Sequence, residues 1–154
     1  MYQLIFKRKI REGFRDISEG NFDKLLRQFA PEVDFSFSGD HAMAGEFRRR
    51  ETVKAWFERV HKIFPGFQIQ AREIFVSGLP WNVVITTRFA VWDTLPDGSR
   101  YENDGVQVAR IRWGRVVEDH LYEDSQRLAD VLQRLGKMGN EEAVAAALRE
   151  NKAA

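Results

Sequence analysis

The sequence contains no cysteine, which excludes a disulfide framework, a thiolate metal site and a cysteine nucleophile. It also has almost no net charge, because 24 Lys and Arg residues stand against 23 Asp and Glu residues and leave a formal charge of +1. This balance lacks the basic excess of a nucleic-acid-binding surface and gives no field that would steer acidic substrates. We therefore expect no nucleic-acid partner.

Long apolar runs are missing as well, since no stretch approaches the ~20 residues that cross a membrane. The first ten residues, MYQLIFKRKI, place apolar residues before cations, the reverse of a secretory signal. We expect no membrane partner and a cytoplasmic location. Histidine pairs at ligand spacing and a glycine-rich phosphate loop are also lacking, so we expect no metal and no cofactor.

Aromatic residues are abundant instead. The 154 residues suffice for one domain, and 44% of them are hydrophobic, with 12 Phe, 4 Trp and 3 Tyr. This content indicates a large aromatic core or an aromatic-lined cavity.

The apolar spacing predicts helices early in the chain. Residues 2–18 and 49–64 carry apolar side chains at three- and four-residue intervals, and a second helix from Phe22 to Phe29 stops before Pro31. Residues 33–38 alternate instead, which predicts a strand with one buried face, and residues 38–45 form a loop. Asp124 or Ser125 caps a later helix, followed by a weaker one over residues 140–148.

Turn residues divide the middle of the chain into four long strands, at residues 67–77, 81–93, 100–112 and 115–123. We expect these strands to pair consecutively as an antiparallel meander. The order of elements predicts an α+β domain with helices on one face of a curved sheet. Residues 1–135 would form this domain, with residues 136–154 as a peripheral helix or tail.

Several stretches carry a family resemblance: RRRETVKAWF at 48–57, LPDG at 95–98, GVQVARI at 105–111 and GRVVEDH at 114–120. Over residues 2–135 the chain resembles the SnoaL-like polyketide cyclase family of the nuclear transport factor 2-like superfamily. The resemblance implies a cone-shaped fold in which a curved antiparallel sheet wraps around N-terminal helices and encloses a cavity. The superfamily includes isomerases, hydrolases, dehydratases, cyclases and members that only bind a ligand or another chain.

The family pattern and the strand alternation together predict the inward side chains. These are Thr86, Arg88, Ala90, Tyr101, Asn103, Gly105, Gln107, Ala109, Ile111, Val117, Asp119 and Leu121. Phe35, Phe37 and Trp56 would complete the wall. A few polar groups among apolar walls are typical of a small-molecule site.

The acids that the resemblance implies are missing. Arg88 matches the arginine of limonene-epoxide hydrolases, but Ala90 stands where their first aspartate belongs. Leu121 occupies the last-strand position of their second aspartate and of the acid of SnoaL-type cyclases. The general base of ketosteroid isomerases falls at Phe37.

Asp119 is the substitute that the sequence offers, and two interpretations of it remain open. Desolvation in an apolar cavity would disfavour its charged form and Arg88 would favour it, which could give a tuned acid or base. Alternatively, Asp119 and Arg88 form a buried ion pair with a purely structural role. In the loop, Asp40 and His41 offer a second base or a solvated pair.

Other residues have simpler interpretations. Trp56 has the spacing of a core residue, although it could also contact a ligand. His120 falls on the outer sheet face, where Val106 and Val108 add apolar area, and we predict a homodimer through that face.

Two functions follow as hypotheses. The first is a cofactor-independent enzyme that performs acid/base chemistry on a small, hydrophobic, oxygenated ring compound. Asp119 and Arg88 would be catalytic, and Asp40, His41, Trp56, Tyr101, Asn103, Gln107, Phe37 and Leu121 would bind the ligand. The second is a non-catalytic module of the same fold that binds a hydrophobic ligand or another protein.

Overall fold

Two helices open the chain in the computed structural model, which describes residues 1–151: α1 (Tyr2–Glu19) and α2 (Phe22–Leu26). Helix α1 ends at Gly20, whose φ of 76° lies in the left-handed region that glycine adopts at little cost. Helix α2 is shorter than predicted, because Phe29 begins a strand instead of ending the helix. Pro31 lies within that strand, beside an irregularity in its pairing.

Six strands form one sheet. They are β1 (Phe29–Phe37), β2 (Gly45–Arg49), β3 (Gln68–Leu79), β4 (Asn82–Thr94), β5 (Arg100–Arg112) and β6 (Arg115–Glu123). The order across the sheet is β2-β1-β6-β5-β4-β3, and β3 to β6 form the predicted antiparallel meander. Strand β1 joins this meander in parallel with β6, and the short β2 pairs antiparallel with β1. The sequence analysis predicted neither β2 nor the parallel pairing.

The turns follow from their residues. Leu95 and Ser99 close the β4–β5 turn with a backbone hydrogen bond of 2.8 Å, and Gly98 takes a φ of 83°. Between β5 and β6, Trp113 and Gly114 have φ values of 49° and 79°, as a tight two-residue hairpin requires. Trp113 is exposed in this turn.

Helices α1 and α3 (Arg50–Ile63) cover one face of the sheet, which we call the inner face. The core between them is aromatic. The ring centroids of Phe35 and Phe57 each lie 5.1 Å from the ring centroid of Trp56. Helix α4 (Ser125–Lys137) begins at Asp124, whose carboxylate accepts a hydrogen bond from the Arg127 backbone N–H at 3.1 Å. Across residues 1–151, no helix is both long and apolar enough to cross a membrane.

The C-terminal segment, residues 139–151, packs against α3 and β2. It contains a 3₁₀ turn (Glu141–Val144) in place of the predicted helix over residues 140–148. Ala143 is 2% exposed, Leu148 packs against the core, and Arg59 of α3 donates hydrogen bonds to Glu142 and to the Ala146 carbonyl. The segment was predicted to be peripheral, but these residues pack against the core and α3. The domain boundary at residue 135 stays a prediction.

The start of α3 depends on this segment. Arg49 provides no side-chain cap, and the Glu150 carboxylate instead accepts the backbone N–H groups of Arg48 and Arg49 at 2.8 Å and 2.8 Å. Burial would raise the pKa of Glu150, but these two N–H groups and the Thr52 hydroxyl hold it below its usual value. Glu150, near the C-terminal end of the described residues, therefore caps the N-terminus of a helix that lies in the middle of the chain.

Candidate functional site

The side chains of β4 that face inward are not the predicted ones but those of the alternate positions. Thr87, Phe89 and Val91 are buried on the inner face, whereas Arg88 is exposed on the outer face. There the Arg88 Nη1 lies 2.6 Å from the Glu73 Oε2 of β3. The predicted inward position of Arg88, and with it the Asp119–Arg88 ion pair, is wrong, because the alternation of β4 is displaced by one residue.

A second displacement occurs in β6. The β5–β6 register shifts between Arg110 and Ile111, which pairs Ile111 with Val116. Val116 consequently packs against the core, and Val117, predicted inward, lines a groove on the outer face. Beyond this irregularity the prediction holds, since Asp119 and Leu121 are both buried on the inner face.

Asp119 occupies the middle of the inner face. It is 3% exposed, and its Oδ1 accepts a hydrogen bond of 2.9 Å from the Gln107 Nε2 of β5. Burial raises the pKa of Asp119 to about 7, although the hydrogen bond from Gln107 partly opposes this. No cation among the described residues forms an ion pair with it, so both protonation states of this carboxyl are accessible near neutral pH.

Two buried polar atoms near this hydrogen bond have no hydrogen-bond partner. Within residues 1–151, the Oε1 of Gln107 and the Oγ1 of Thr87 are buried and have no hydrogen-bond partner. Thr87 pairs with Gln107 across β4 and β5, so these atoms belong to neighbouring positions of one surface. A buried polar atom without a partner is costly, and its position is one that a ligand or a water molecule could satisfy.

Two small cavities meet at Asp119 and Gln107, and we call them the inner cavities. One, of about 30 Å³, extends toward Phe37, Met43 and Trp56. The other, of about 50 Å³, extends along α1 toward Lys9 and Gln28. Each is close to the ~30 Å³ that one water molecule occupies in the liquid, so a ring compound would have to displace side chains of the walls.

Four of the predicted ligand-binding residues lie at the first cavity. Phe37, Trp56 and Leu121 form part of its wall, and Gln107 lies at both cavities. The Trp56 indole N–H donates to the Met43 carbonyl at 2.7 Å, which ties the loop after β1 to α3. Met43 is 2% exposed, so this loop is folded into the cone.

Tyr101 and Asn103 lie elsewhere. The Tyr101 ring stacks on Phe64 at 5.2 Å, and burial raises the pKa of its phenol above the usual value. The Asn103 Nδ2 donates to the Tyr101 hydroxyl at 2.9 Å and to the Asp124 carbonyl at 3.1 Å. Both side chains join β5 to the start of α4 and contribute to neither inner cavity.

Asp40 and His41 also lie outside the inner cavities. Asp40 is exposed at the outer groove, and the half-buried His41 accepts the Met43 backbone N–H at its Nδ1, at 3.2 Å. Burial lowers the pKa of His41. The imidazole therefore supports the fold of the loop rather than facing Asp119.

Sequence reasoning missed Glu123, which lines the first inner cavity together with Asp119. Burial raises the pKa of Glu123 to about 8. The signal was available, since Asp119, Leu121 and Glu123 follow one alternating face of a strand that was predicted to reach residue 123.

The outer face carries a different surface. An open groove of about 1410 Å³ lies between the outer sides of β1, β2 and β6 and residues 147–151. Beside it the Ser36 hydroxyl and His120 Nδ1 form a hydrogen bond of 2.7 Å, and the His120 Nε2 lies 4.0 Å from Glu118. His120 thus lies on the outer face, as predicted. Within residues 1–151 no three His, Asp or Glu side chains are grouped so that they could hold a metal ion.

Comparison with known proteins decides the family. The sequence profile of the SnoaL-like domain matches residues 10–119. The chain belongs to the SnoaL-like domain family. A search of curated proteins finds no match.

Solved structures show the same fold. PrhC from Penicillium brasilianum is 14% identical, with a TM-score of 0.78 and coverage of 94% of this chain and 96% of that one. Bal32a from a soil-derived mobile gene cassette is 19% identical, with a TM-score of 0.67 and coverage of 80% and 92%. A candidate polyketide cyclase from Xanthomonas campestris is 15% identical, with a TM-score of 0.59 and coverage of 82% and 95%. The cone-shaped α+β fold of this SnoaL-like protein is therefore confirmed.

In this SnoaL-like protein the acids of the last strand lie at positions other than the one that the resemblance implies. The positions where the family resemblance implies acids carry the apolar side chains of Phe37, Ala90 and Leu121. The carboxyl groups that reach the inner cavities are Asp119 and Glu123, two residues before and two residues after Leu121.

Proposed function

We propose that this SnoaL-like protein is a cofactor-independent enzyme that moves protons on a small, hydrophobic, oxygenated ring compound, with Asp119 as the acid/base group. The observation that carries the proposal is the state of Asp119: it is buried, hydrogen-bonded by Gln107 and without an ion-pair partner among the described residues. A carboxyl whose pKa lies near 7 is suited to take and return a proton at neutral pH.

The walls support a hydrophobic ring as the ligand. Aromatic side chains of β1, α3 and β4 surround the carboxyl, and such surfaces favour flat, apolar molecules. The unpartnered amide oxygen of Gln107, which lies at both inner cavities, would accept a hydrogen bond from a hydroxyl group of the ligand.

Binding would have to enlarge the inner cavities. Both meet at Asp119, and Met43 is a flexible, unbranched side chain in the wall of the first. Displacement of such side chains would join the two cavities into one site around the carboxyl. The ligand would thus bind a conformation more open than the one described here.

The test uses hexahydronaphthalenone, a bicyclic enone with acidic C–H bonds beside and conjugated to its carbonyl group. The purified protein in D₂O should catalyse deuterium incorporation at these carbons, followed by NMR. Asp119→Asn should abolish the catalysed exchange while circular dichroism shows an intact fold. Glu118→Gln, on the outer face of the same strand, is the matched control and should exchange at the wild-type rate. Full exchange by Asp119→Asn would reject the proposal.

A binding module is the second candidate, and the open groove on the outer face favours it. We propose a second copy of this chain as the occupant of the outer face, because Tyr122 is exposed there beside the half-buried Val106 and Val108. Light scattering after size-exclusion chromatography should give the mass of a dimer, and Tyr122→Arg should shift it to a monomer. A monomeric wild-type protein at micromolar concentration would contradict this.

A further inference from the structure

Three segments of the chain meet at one end of the sheet. The Tyr2 hydroxyl, at the start of α1, donates a hydrogen bond of 2.6 Å to the carbonyl of Gly78, near the end of β3. The Trp113 backbone N–H, in the β5–β6 turn, donates to the Trp81 carbonyl, in the β3–β4 turn, at 3.0 Å. Residues 1–9, 78–82 and 110–115 therefore lie side by side, and we call the surface that they form the hairpin end.

The hairpin end carries large apolar side chains that the fold leaves in solvent. They are Leu4, Ile5, Leu79, Trp81 and Trp113. Leu4 is 70% exposed and Trp113 is 77% exposed. A small core that includes Phe6 and Ile111 lies beneath them and is filled by other side chains of the same segments. Exposed apolar side chains that cluster in this way mark an interaction surface.

Trp113 also has a backbone conformation that its residue type disfavours. Its φ of 49° lies in the left-handed region, where two-residue hairpins prefer asparagine and glycine. A bulky residue in this region is uncommon, and the exposed Trp113 ring gains no burial that would offset the cost. The fold alone thus does not explain the tryptophan, which indicates a contact outside this chain.

The charged side chains of the hairpin end are all cations. They are Lys7, Arg8, Lys9, Arg110, Arg112 and Arg115, and none of the three segments contains Asp or Glu. Arg8 pairs with Glu12 and Arg110 pairs with Glu118, whereas the other four have no ion-pair partner among the described residues. Helix α1 has no acid in its first turn and no side-chain cap, so its N-terminal partial charge adds to the positive potential. The near-zero total charge of the chain therefore includes a local basic surface.

We propose that the hairpin end docks on the surface of a lipid bilayer that contains anionic headgroups. Tryptophan favours the boundary between headgroups and acyl chains, because its ring is apolar and its indole N–H can donate a hydrogen bond to a headgroup. The cations would lie at the level of the headgroups, where each Lys or Arg strengthens binding about fivefold. A nucleic acid would pair with the cations and stack on the tryptophans, but it would leave Leu4, Ile5 and Leu79 in water. A bilayer fits both the charge and the apolar side chains.

The sequence analysis expected no membrane partner because the chain has no apolar run long enough to span a bilayer. Docking on a bilayer surface needs no such run, since its strength depends on the apolar area that enters the interface and on the attraction between cations and anionic lipids. This inference is independent of the proposed function.

Sedimentation with lipid vesicles tests the proposal. The protein should sediment with vesicles of phosphatidylcholine and phosphatidylserine and should stay in solution with vesicles of phosphatidylcholine alone. High salt should release it from the anionic vesicles, because salt screens the attraction between exposed charges. A protein that stays in solution with both kinds of vesicle, or that binds both equally, would overturn the proposal.

Substitutions at the hairpin end should weaken this binding selectively. Trp113→Asn should lower the affinity for anionic vesicles about tenfold, as expected for the loss of a half-buried tryptophan, and Arg112→Gln about fivefold. Asparagine suits the left-handed conformation before Gly114, so Trp113→Asn should not lower the thermal stability of the protein. The controls Met138→Asn and Arg72→Gln remove an exposed apolar side chain and an exposed cation outside the hairpin end, and both should bind as the wild type does. Wild-type affinity in Trp113→Asn and Arg112→Gln would overturn the proposal.

Fluorescence identifies the side chains that enter the bilayer. Anionic vesicles whose acyl chains carry bromine should quench the tryptophan emission of the wild-type protein. A double variant, Trp81→Phe with Trp113→Phe, keeps two aromatic rings at the hairpin end and should bind while losing most of the quenching, because Trp56 is buried and Trp92 lies near the other end of β4. Undiminished quenching in the double variant would show that another surface docks and would overturn the proposal.

Two further outcomes would assign the hairpin end to another partner and would also overturn the proposal. One is binding of a single-stranded oligonucleotide without binding of vesicles. The other is a dimer that Trp113→Asn converts to a monomer, as measured by light scattering, in a protein that does not bind vesicles.

Discussion

The two faces of the sheet differ in whether their charged side chains form ion pairs. On the outer face Arg88 pairs with Glu73, and Arg110 lies 3.0 Å from Glu118, all within reach of solvent. On the inner face Asp119 is buried and Glu123 half-buried, and neither forms an ion pair with a cation among the described residues. A folded protein normally pairs or hydrates its charges, so carboxyl groups that are left uncompensated inside indicate a function that outweighs their cost.

Activity should separate the faces most clearly. Asp119→Asn should lower catalysed deuterium exchange by about 10²- to 10⁴-fold, because a general base is lost. Removal of an acid from the outer face by Glu118→Gln should leave the rate unchanged. Equal losses in both variants would mean that the faces do not differ in function.

Stability should respond to pH through the inner face. In the unfolded chain Asp119 ionises near its ordinary pKa of about 4, whereas the folded chain retains this proton until about pH 7. The folded state binds more protons between these values, so the free energy of unfolding falls as pH rises through this window.

Asp119→Asn removes this dependence. The variant should be more stable than the wild-type protein at pH 8 by ~2–4 kcal/mol, and the difference should vanish near pH 4. Urea denaturation at several pH values measures it. An Asp119→Asn protein that loses stability at pH 8 would contradict the raised pKa.

A smaller effect should follow from the buried hydroxyl of Thr87. Its Oγ1 has no hydrogen-bond partner within residues 1–151, and the residue is 0% exposed. Thr87→Val keeps the shape and removes the polar atom, so it should raise the free energy of unfolding by ~1 kcal/mol. The neighbouring Thr86→Val, on the outer face, is the control and should change it by less than ~0.5 kcal/mol. A destabilised Thr87→Val would show that the hydroxyl is hydrogen-bonded.

The smallest effect belongs to Arg88. Its ion pair with Glu73 is largely exposed, with side-chain exposures of 64% and 50%. Arg88→Ala should therefore change stability by less than ~0.5 kcal/mol and leave the exchange rate unaltered. A large loss of exchange would restore Arg88 to the site.

The antiparallel meander could be predicted from the sequence because residues within each turn determine where its strands end. Pro96, Gly98 and Gly114 mark turns through their own conformational preferences, and the strands between them alternate. The parallel pairing of β1 with β6 could not be predicted in this way, since residues far apart in the chain decide it. The loss of Phe29 from α2 follows from that same pairing.

For the candidate site, the inward-facing side chains of β5 and most of those of β6 were predicted correctly, whereas those of β4 were not. Gln107 and Asp119 were correctly placed inward, but Arg88 was assigned to the wrong face because alternation fixes two faces without saying which one is buried. Phe89 and Val91 were the better indicator, since large apolar side chains on β4 face the core. Glu123 was missed because an acid at the end of a strand resembles any solvated terminus.

The capping of α3 by Glu150 has a consequence for the order of folding. The hydrogen bond from Arg48 to Glu150 spans 102 residues, so it forms only after a large loop has closed. Arg48 and Arg49 immediately precede α3 and Arg50 is its first residue, and the positive charge of these three side chains opposes the helix dipole until that carboxylate arrives. We expect the start of α3 to become protected from hydrogen exchange later than the meander does, as one of the last regions of the chain to acquire its native structure.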